Sequence, residues 1–159
     1  IRDRLASDAT CKHPLLSGLG VEPLSDAFTH SVLASLMKGR TTPIKSALLD
    51  QRLIAGLGNI YVSEALFRAG ISPRRKAGTI AGQRARRLTE AIKVVLREAI
   101  NAGGTSLRNH IQPGGEIGYF VQDLRVYGQA GQPCVDCGQG IKQIIQSGRS
   151  SFYCSSCQR

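Results

Sequence analysis

The sequence lacks any run of about 18 consecutive apolar residues, which is the length that a membrane-spanning helix requires. It also lacks the pattern of a signal peptide at its start, and it contains no internal repeat or low-complexity tract. These absences favour a soluble protein. The 159 residues suffice for one domain, or for one compact helical unit with a small appendage.

Acidic residues are scarce relative to basic ones. The sequence has 11 Asp and Glu against 21 Lys and Arg, which gives a formal net charge of +10. Such an excess favours a polyanionic partner, with nucleic acid ahead of an anionic membrane. An ordinary solvated basic surface is the alternative that charge alone leaves open.

Cysteines are absent between Cys11 and Cys134, and the remaining ones form two close pairs near the C-terminus. Cys134 with Cys137 and Cys154 with Cys157 have the C-x2-C…C-x2-C spacing of a zinc site. A two-residue gap lets both thiolates of a pair reach one ion, and four thiolates complete its tetrahedron, so the ion is structural. Two chance pairs, a redox dithiol or an iron–sulfur centre would use the same residues, but the short, regular spacing favours zinc.

A β-hairpin fits between the two cysteine pairs, with residues 141–145 and 151–153 as strands and residues 146–149 as the tip. A segment of about 26 residues is too small to build its own core, so metal should contribute much of its folding free energy. Arg149 lies at the tip, where a lone arginine is usually just solvated. Held beside Gly148 by a metal-stabilised turn, it could instead present a rigid guanidinium to a phosphate.

Helical periodicity dominates the chain before the cysteines, which predicts a mainly α fold. The first predicted helix is capped by Ser25 and ends near Gly39. The second has Thr42 as its cap and Pro43 in its first turn. Two further helices are predicted over residues 60–69 and 80–102, and a strand over residues 120–127.

A glycine-interrupted turn separates the second and third predicted helices. Gly56 and Gly58 permit backbone angles and close approaches that other residues resist, and Asn59 follows them. At the start of a helix, N–H groups without a helical partner and the helix dipole favour an anion such as phosphate. On spacing alone, an ordinary N-cap is the better explanation of Asn59.

Together these motifs resemble the formamidopyrimidine-DNA glycosylase (Fpg/MutM) family. The family's helix–two-turns–helix motif resembles residues 44–51, 56–61, 63–64, 66–67 and 70–73 of this sequence. Its C-terminal zinc finger resembles residues 118–120, 126–128, 133–134 and 148–154. The resemblance implies a helical bundle with a helix–two-turns–helix motif, followed by a C-terminal β-hairpin zinc finger that holds one structural zinc ion on its four cysteines.

The resemblance also implies three segments. Residues 1–22 correspond to a linker that follows an N-terminal β-sandwich domain, which the chain does not contain. Residues 23–119 correspond to the helix–two-turns–helix DNA-binding domain, with a mobile lesion-capping loop over residues 105–119, and residues 120–159 correspond to the zinc finger. The residues assigned to the capping loop and its edge are Gly104, Thr105, Ser106 and Tyr119.

Members of this family are bifunctional repair enzymes. They remove oxidised purines such as 8-oxoguanine and formamidopyrimidines from duplex DNA, and they cut the abasic strand by β,δ-elimination. To reach the glycosidic bond, such enzymes flip the damaged nucleotide out of the stack. The resemblance implies that Asn59 and Arg149 bind phosphates beside that nucleotide, and that Arg149 donates a proton in δ-elimination. The other residues matched to DNA-contacting motifs are Arg40, Lys45, Gly58 and Tyr127.

The family's nucleophile is an N-terminal proline, whereas this chain begins with Ile1 and Arg2. The expectation is the DNA-binding half of the enzyme, a monomer of the bacterial cytoplasm that associates with the nucleoid and not with membranes. It should bind damaged double-stranded DNA but excise no base without the N-terminal domain. The alternatives are an endonuclease VIII-type glycosylase for oxidised pyrimidines and a non-enzymatic zinc-ribbon module that binds RNA or protein. The extended loop with residues 118–120 favours the purine enzyme.

Overall fold

The computed structural model describes residues 18–103 and 120–159. Its elements confirm the predicted fold class, a helical bundle followed by an antiparallel β-hairpin. Within these two ranges, no helix combines the length and the apolar character needed to cross a bilayer. The elements are α1 (His30–Met37), α2 (Ile44–Leu48), α3 (Asn59–Ala69), a 3-10 helix (Ala77–Thr79), α4 (Gln83–Asn101), a second 3-10 helix (Phe120–Asp123), β1 (Lys142–Gln146) and β2 (Arg149–Tyr153).

Helix α3 lies at the centre of the bundle. Residues 62–67 are all buried, and the helix packs against α4, α2 and β2. Helix α4 covers it with the predicted apolar stripe, because Leu88, Ile92, Val95 and Ala99 are all buried. A helix that is buried on nearly every side must pack against other elements on each of those sides. Helix α3 therefore contacts both the other helices and the hairpin.

A second, smaller core joins the hairpin to α3. Phe67 of α3 packs with Val126, Ile141 and Phe152 around two of the cysteines. The ring of Tyr127 lies edge-on to that of Phe152, with 4.9 Å between the ring centroids. The cysteine hairpin is too small for a core of its own, and it completes one by packing on the bundle.

The start of the first helix was predicted at the wrong residue. Helix α1 begins at His30, because the Thr29 hydroxyl accepts the Val32 N–H at 3.2 Å and caps it. The expected cap, Ser25, instead donates its hydroxyl to the Glu22 carbonyl at 2.7 Å. Serine and threonine are both suitable N-cap residues. Because the Ser25 hydroxyl is bonded within the preceding turn, Thr29 caps the helix.

The second helix also starts differently from the prediction. Pro43, expected inside the first turn, is the N-cap of α2 and makes no side-chain capping hydrogen bond. The Ile44 N–H donates instead to the Arg75 carbonyl at 2.6 Å. A tertiary hydrogen bond therefore replaces the cap expected from Thr42.

The third and fourth helices and the hairpin match their predictions closely. Helices α3 and α4 begin and end within three residues of the predicted ranges. In the hairpin, Lys142 pairs with Tyr153 and Gln146 pairs with Arg149. The two-residue tip, Ser147 and Gly148, has φ values of 51° and 76°, as a tight hairpin turn requires. The predicted tip, residues 146–149, is therefore too long, because Gln146 and Arg149 pair as strand residues. Arg149 is the first residue of β2 and not part of the tip.

Candidate nucleic-acid interface and metal centre

The four cysteines of the hairpin converge on one point. Their Sγ atoms all lie within 4.8 Å of one another, with Cys134 and Cys157 3.8 Å apart and Cys137 and Cys154 3.4 Å apart. Thiolates bound at about 2.3 Å to one tetrahedral ion stand about 3.8 Å from each other. The donor set therefore fits the predicted structural zinc ion, which would tie the segment before β1 to the segment after β2.

The tip of the hairpin is fixed to the bundle through the carbonyl of Ser150. The Lys45 ammonium donates to this carbonyl at 2.7 Å and to the Ser151 hydroxyl at 2.6 Å. The Asn59 amide nitrogen donates to the same carbonyl at 3.0 Å. Because Ser150 is held from both α2 and α3, the backbone of its neighbour Arg149 is fixed as well.

Further hydrogen bonds secure both ends of the hairpin. At the tip, the hydroxyls of Ser46 and Ser147 lie 3.1 Å apart. At the cysteine end, the buried Gln158 side chain donates to the Ile71 carbonyl at 2.9 Å. The hairpin thus lies against the bundle along its length, which keeps its tip in register with the start of α3.

Gln51 orders the two turns that precede α3. Its amide oxygen accepts the Gly56 N–H at 2.7 Å, and its amide nitrogen donates to the Leu49 and Leu57 carbonyls at 3.2 and 3.0 Å. Gly56 has φ +82°, a left-handed conformation that glycine adopts without strain. Gly58 is the N-cap of α3 and offers no side chain, so the start of the helix is left open to an external group.

Asn59 is the first residue of α3 and not its N-cap, so the ordinary N-cap explanation is wrong. Its Nδ2 donates to Ser150, and among the described residues its buried Oδ1 has no hydrogen-bond partner. An anion at this helix start would therefore meet backbone N–H groups first, while the side chain holds the hairpin in place.

Arg149 completes a concavity at the N-terminus of α3. The concavity has a volume of about 330 Å³, and its lining residues are Leu49, Gln51, Gly56, Leu57, Gly58 and Arg149. The guanidinium is exposed and is a planar, permanently charged donor suited to a phosphate. The helix start and the arginine therefore favour negative charge at the same place.

Lys45 lies close enough to Arg149 for the two positive charges to repel each other. Burial, in the first place, and the nearby Arg149 guanidinium, in the second, lower the pKa of Lys45 from 10.5 to about 8. Lys45 is only 1% exposed, and neither cation forms an ion pair with a described carboxylate. An anion bound in the concavity would relieve this repulsion.

A buried carboxylate fixes the segment that leads into the hairpin. Glu64, fully buried in α3, accepts the N–H groups of Val126 and Tyr127 at Oε1, at 3.0 and 2.9 Å, and that of Arg125 at Oε2, at 2.9 Å. These three amides bind the carboxylate, and residues 120–127 form no strand among the described residues, so the strand predicted there is wrong. A short 3-10 helix and a loop take its place.

The other predicted site residues lie apart from the concavity. Arg40 is exposed beyond α1, where its Nε donates to the Leu36 carbonyl at 2.8 Å. Tyr127 is half-buried against the hairpin. Gly104, Thr105, Ser106 and Tyr119 lie outside the described residues. The DNA contacts expected of Arg40, Lys45, Gly58, Asn59, Tyr127 and Arg149 stay predictions.

Sequence reasoning missed the positioning roles of Gln51, Glu64 and Ser150. A carboxylate within an apolar helical segment carries a signal, because a buried charge requires hydrogen-bond partners, and this signal could have identified Glu64. Gln51 and Ser150 carry no such signal, since their roles depend on backbone groups that only the folded chain brings near.

Comparison with known proteins places these features in a family. Residues 19–110 match the family model of the formamidopyrimidine-DNA glycosylase H2TH domain, and residues 131–159 match the zinc finger found in FPG and IleRS. The formamidopyrimidine-DNA glycosylase of Acidiphilium cryptum is 55% identical over 162 residues, which cover 99% of this chain and 59% of that protein.

Two solved structures are similar over nearly the whole chain. MutM (Fpg) from Thermus thermophilus is 45% identical with a TM-score of 0.86, covering 91% of this chain and 55% of that one. A MutM in complex with DNA containing carbocyclic 8-oxo-G is 35% identical with a TM-score of 0.84, covering 96% and 55%.

The chain spans little more than half the length of these proteins. Its zinc-finger match includes the four cysteines that the fold brings together, which confirms the predicted zinc site. Its helical match covers more than half of the 159 residues and includes the Gln51 turn and helix α3. The chain therefore belongs to the formamidopyrimidine-DNA glycosylase family.

Proposed function

We propose that this chain holds the backbone of damaged double-stranded DNA at the concavity between Arg149 and the start of α3. The observation that carries the proposal is the fixing of the hairpin tip. The Ser150 carbonyl accepts hydrogen bonds from both Lys45 and Asn59, which places the adjacent guanidinium beside the open helix start.

The two sides of this concavity suit a phosphate in different ways. The guanidinium of Arg149 can donate two parallel hydrogen bonds to phosphate oxygens. The start of α3 offers backbone N–H groups and the positive end of the helix dipole. Contacts of this kind carry no sequence information, so binding should depend strongly on salt and little on base sequence.

For the whole protein we propose excision of oxidised purines from duplex DNA, followed by cleavage of the abasic strand. The names of the relatives and the MutM complex with carbocyclic 8-oxo-G DNA support this proposal. Arg149 would bind a phosphate and donate the proton of δ-elimination, while the nucleophile would come from residues outside these 159. The protein would act as a monomer in the bacterial cytoplasm, associated with the nucleoid.

In this proposal, each segment predicted from the sequence has its own part in DNA binding. Residues 23–119 would form the helix–two-turns–helix DNA-binding domain, with a lesion-capping loop over residues 105–119. Residues 120–159 would form the zinc finger, with Tyr127 at its base and Arg149 near its tip. The many hydrogen bonds between the described parts of the two segments support their acting together on one duplex.

Binding of the zinc-loaded chain to a short duplex with an abasic-site analogue tests the DNA proposal. The comparison duplexes are an undamaged one and an RNA of the same sequence. We expect the damaged DNA to be bound more tightly than the RNA, and Arg149→Ala to weaken DNA binding about tenfold, as for the loss of one charged hydrogen-bonding group.

Arg97→Ala is the matched control, because Arg97 is an exposed arginine on α4 that does not line the concavity. Equal or tighter binding of the RNA would refute the proposal. So would an Arg149→Ala chain that binds DNA as tightly as the Arg97→Ala chain.

Borohydride trapping on an 8-oxoguanine duplex tests the proposed source of the nucleophile. We expect no covalent adduct with the 159-residue chain alone, because the proposed nucleophile lies outside it. A trapped adduct would show that a residue of this chain attacks the sugar, and the proposal would then be wrong.

A further inference from the structure

A row of hydrogen bonds runs from Lys45 through the hairpin, away from the concavity. The Lys45 ammonium donates to the Ser151 hydroxyl at 2.6 Å, and this hydroxyl donates to the Gln146 amide oxygen at 2.6 Å. The Gln146 amide nitrogen donates to the Pro73 carbonyl at 3.2 Å. We name Lys45, Ser151, Gln146 and Pro73 the Lys45 relay. It joins α2, both strands of the hairpin and the segment that follows α3.

The hydrogen bonds of the Lys45 relay have one fixed direction. A carbonyl can only accept, so Pro73 requires the amide nitrogen of Gln146 and leaves the amide oxygen facing Ser151. The single hydroxyl proton of Ser151 is used on that oxygen, so the Ser151 oxygen can only accept from Lys45. A hydrogen bond donated by a charged group is stronger than one donated by a neutral group. The relay therefore favours the charged form of Lys45.

The Lys45 ammonium needs such acceptors because its other surroundings oppose its charge. Its side chain is 1% exposed, and no described carboxylate forms an ion pair with it. Burial and the Arg149 guanidinium lower its pKa to about 8. Two further cations, Arg75 and Lys76, meet α2 through backbone groups, and Asn59, which shares an acceptor with Lys45, is neutral. The relay therefore offsets part of the cost of a buried charge.

The Lys45 relay adjoins Arg149 both along the strand and across the hairpin. Ser151 is fully buried and lies two residues after Arg149 in β2, so the two side chains are on the same face. Gln146 pairs with Arg149 across the two strands. Between them, the Ser150 carbonyl accepts from Lys45 at 2.7 Å. Loss of a relay hydrogen bond would therefore loosen the backbone that carries the guanidinium.

We propose that Ser151 and Gln146 are positioning residues for the phosphate contact. They hold the Lys45 ammonium, in its charged form, on the Ser150 carbonyl, and through this carbonyl they hold Arg149 beside the start of α3. This inference rests on the proposed function, since the position of Arg149 affects affinity only when the concavity holds DNA.

Binding to the abasic-site duplex tests the proposal with Ser151→Ala and Gln146→Ala, each made alone and together with Arg149→Ala. The matched control is Gln143→Ala. Gln143 is an exposed glutamine of the same strand as Gln146, and its amide donates to the Ser150 hydroxyl at 3.1 Å, outside the relay. Circular dichroism and zinc content verify the folding of every variant.

We expect Ser151→Ala and Gln146→Ala each to bind DNA about fivefold more weakly than the Gln143→Ala chain, as for the loss of a buried hydrogen bond. In chains that also carry Arg149→Ala, the same two substitutions should change affinity by less than about twofold. The difference arises because the relay acts on DNA through the guanidinium, which those chains lack.

The pH dependence of binding separates positioning from a general loss of structure. A bound phosphate favours the protonated form of Lys45, whose pKa is about 8, so the affinity of the unchanged chain should fall as the pH rises past this value. Ser151→Ala removes an acceptor of the ammonium and lowers its pKa further, so the fall should begin at a lower pH. Lys45→Met has no group that titrates at this position, and it should show no such fall.

An affinity equal to that of the Gln143→Ala chain, in either relay variant, would overturn the proposal. So would equal weakening with and without Arg149, or an unshifted pH profile in Ser151→Ala, since a general loss of structure predicts both. If the unchanged chain bound the duplex no more tightly than the Arg149→Ala chain, the proposed function itself would fail. Weak binding by Arg149→Ala with full binding by both relay variants would contradict the relay alone.

Discussion

Substitution of Glu64 by glutamine tests how the hairpin is attached to the bundle. Glutamine keeps one oxygen, which can still accept the Val126 and Tyr127 N–H groups, but its NH2 group would face the Arg125 N–H. One charge-assisted hydrogen bond, typically about 1.5–3 kcal/mol, is lost, and two become neutral and roughly half as strong. Glutamine is neutral, so the substitution also removes the cost of burying a charge, which offsets part of this loss. The free energy of unfolding should therefore fall by about 2 kcal/mol.

Urea unfolding of the zinc-loaded chain, followed by circular dichroism, measures this cost. Ser63→Ala is the matched control, because Ser63 is the preceding residue of α3 and its buried hydroxyl has no described partner. Its removal should change the free energy of unfolding by no more than about 0.5 kcal/mol. A Glu64→Gln chain as stable as the unchanged one, or a Ser63→Ala chain equally destabilised, would refute the role assigned to the carboxylate.

Two further predictions concern the positioning of Arg149. Because the pKa of Lys45 is lowered from 10.5 to about 8, the unfolded chain binds more protons between those pH values. Between pH 8 and 10, the free energy of unfolding, measured with urea, should therefore rise more in the unchanged chain than in the Lys45→Met chain. An equal rise in the two chains would contradict the lowered pKa of Lys45. Gln51→Ala removes three hydrogen bonds from the turn before α3 and should weaken DNA binding about tenfold at unchanged zinc content. Unchanged DNA affinity would contradict the role of Gln51 in ordering this turn.

The parts of the fold that sequence predicts best are those fixed by local chemistry. The spacing of the four cysteines determines their convergence, since each pair must reach one ion. Gly70 ends α3 with φ +70°, as a left-handed C-terminal residue should. The apolar stripe of α4 is confirmed because one face of a long helix must be covered.

Features that depend on distant backbone groups could not be predicted from the sequence. The Ile44 N–H donates a hydrogen bond to the Arg75 carbonyl, which takes the place of a side-chain cap on α2. The N–H groups of residues 125–127 donate hydrogen bonds to the Glu64 carboxylate, so the expected strand does not form. Lys45 carries no local sign of burial, and only the folded hairpin covers its ammonium.

Zinc-dependent DNA binding is the most direct test of the claim that the metal-stabilised hairpin holds Arg149 in place for phosphate. Cys154→Ser removes one of four thiolates, whereas Ser156→Ala alters an exposed residue between Cys154 and Cys157. Zinc content and DNA affinity should fall together in Cys154→Ser and stay unchanged in Ser156→Ala. DNA affinity that survives the loss of zinc unchanged would contradict the claim.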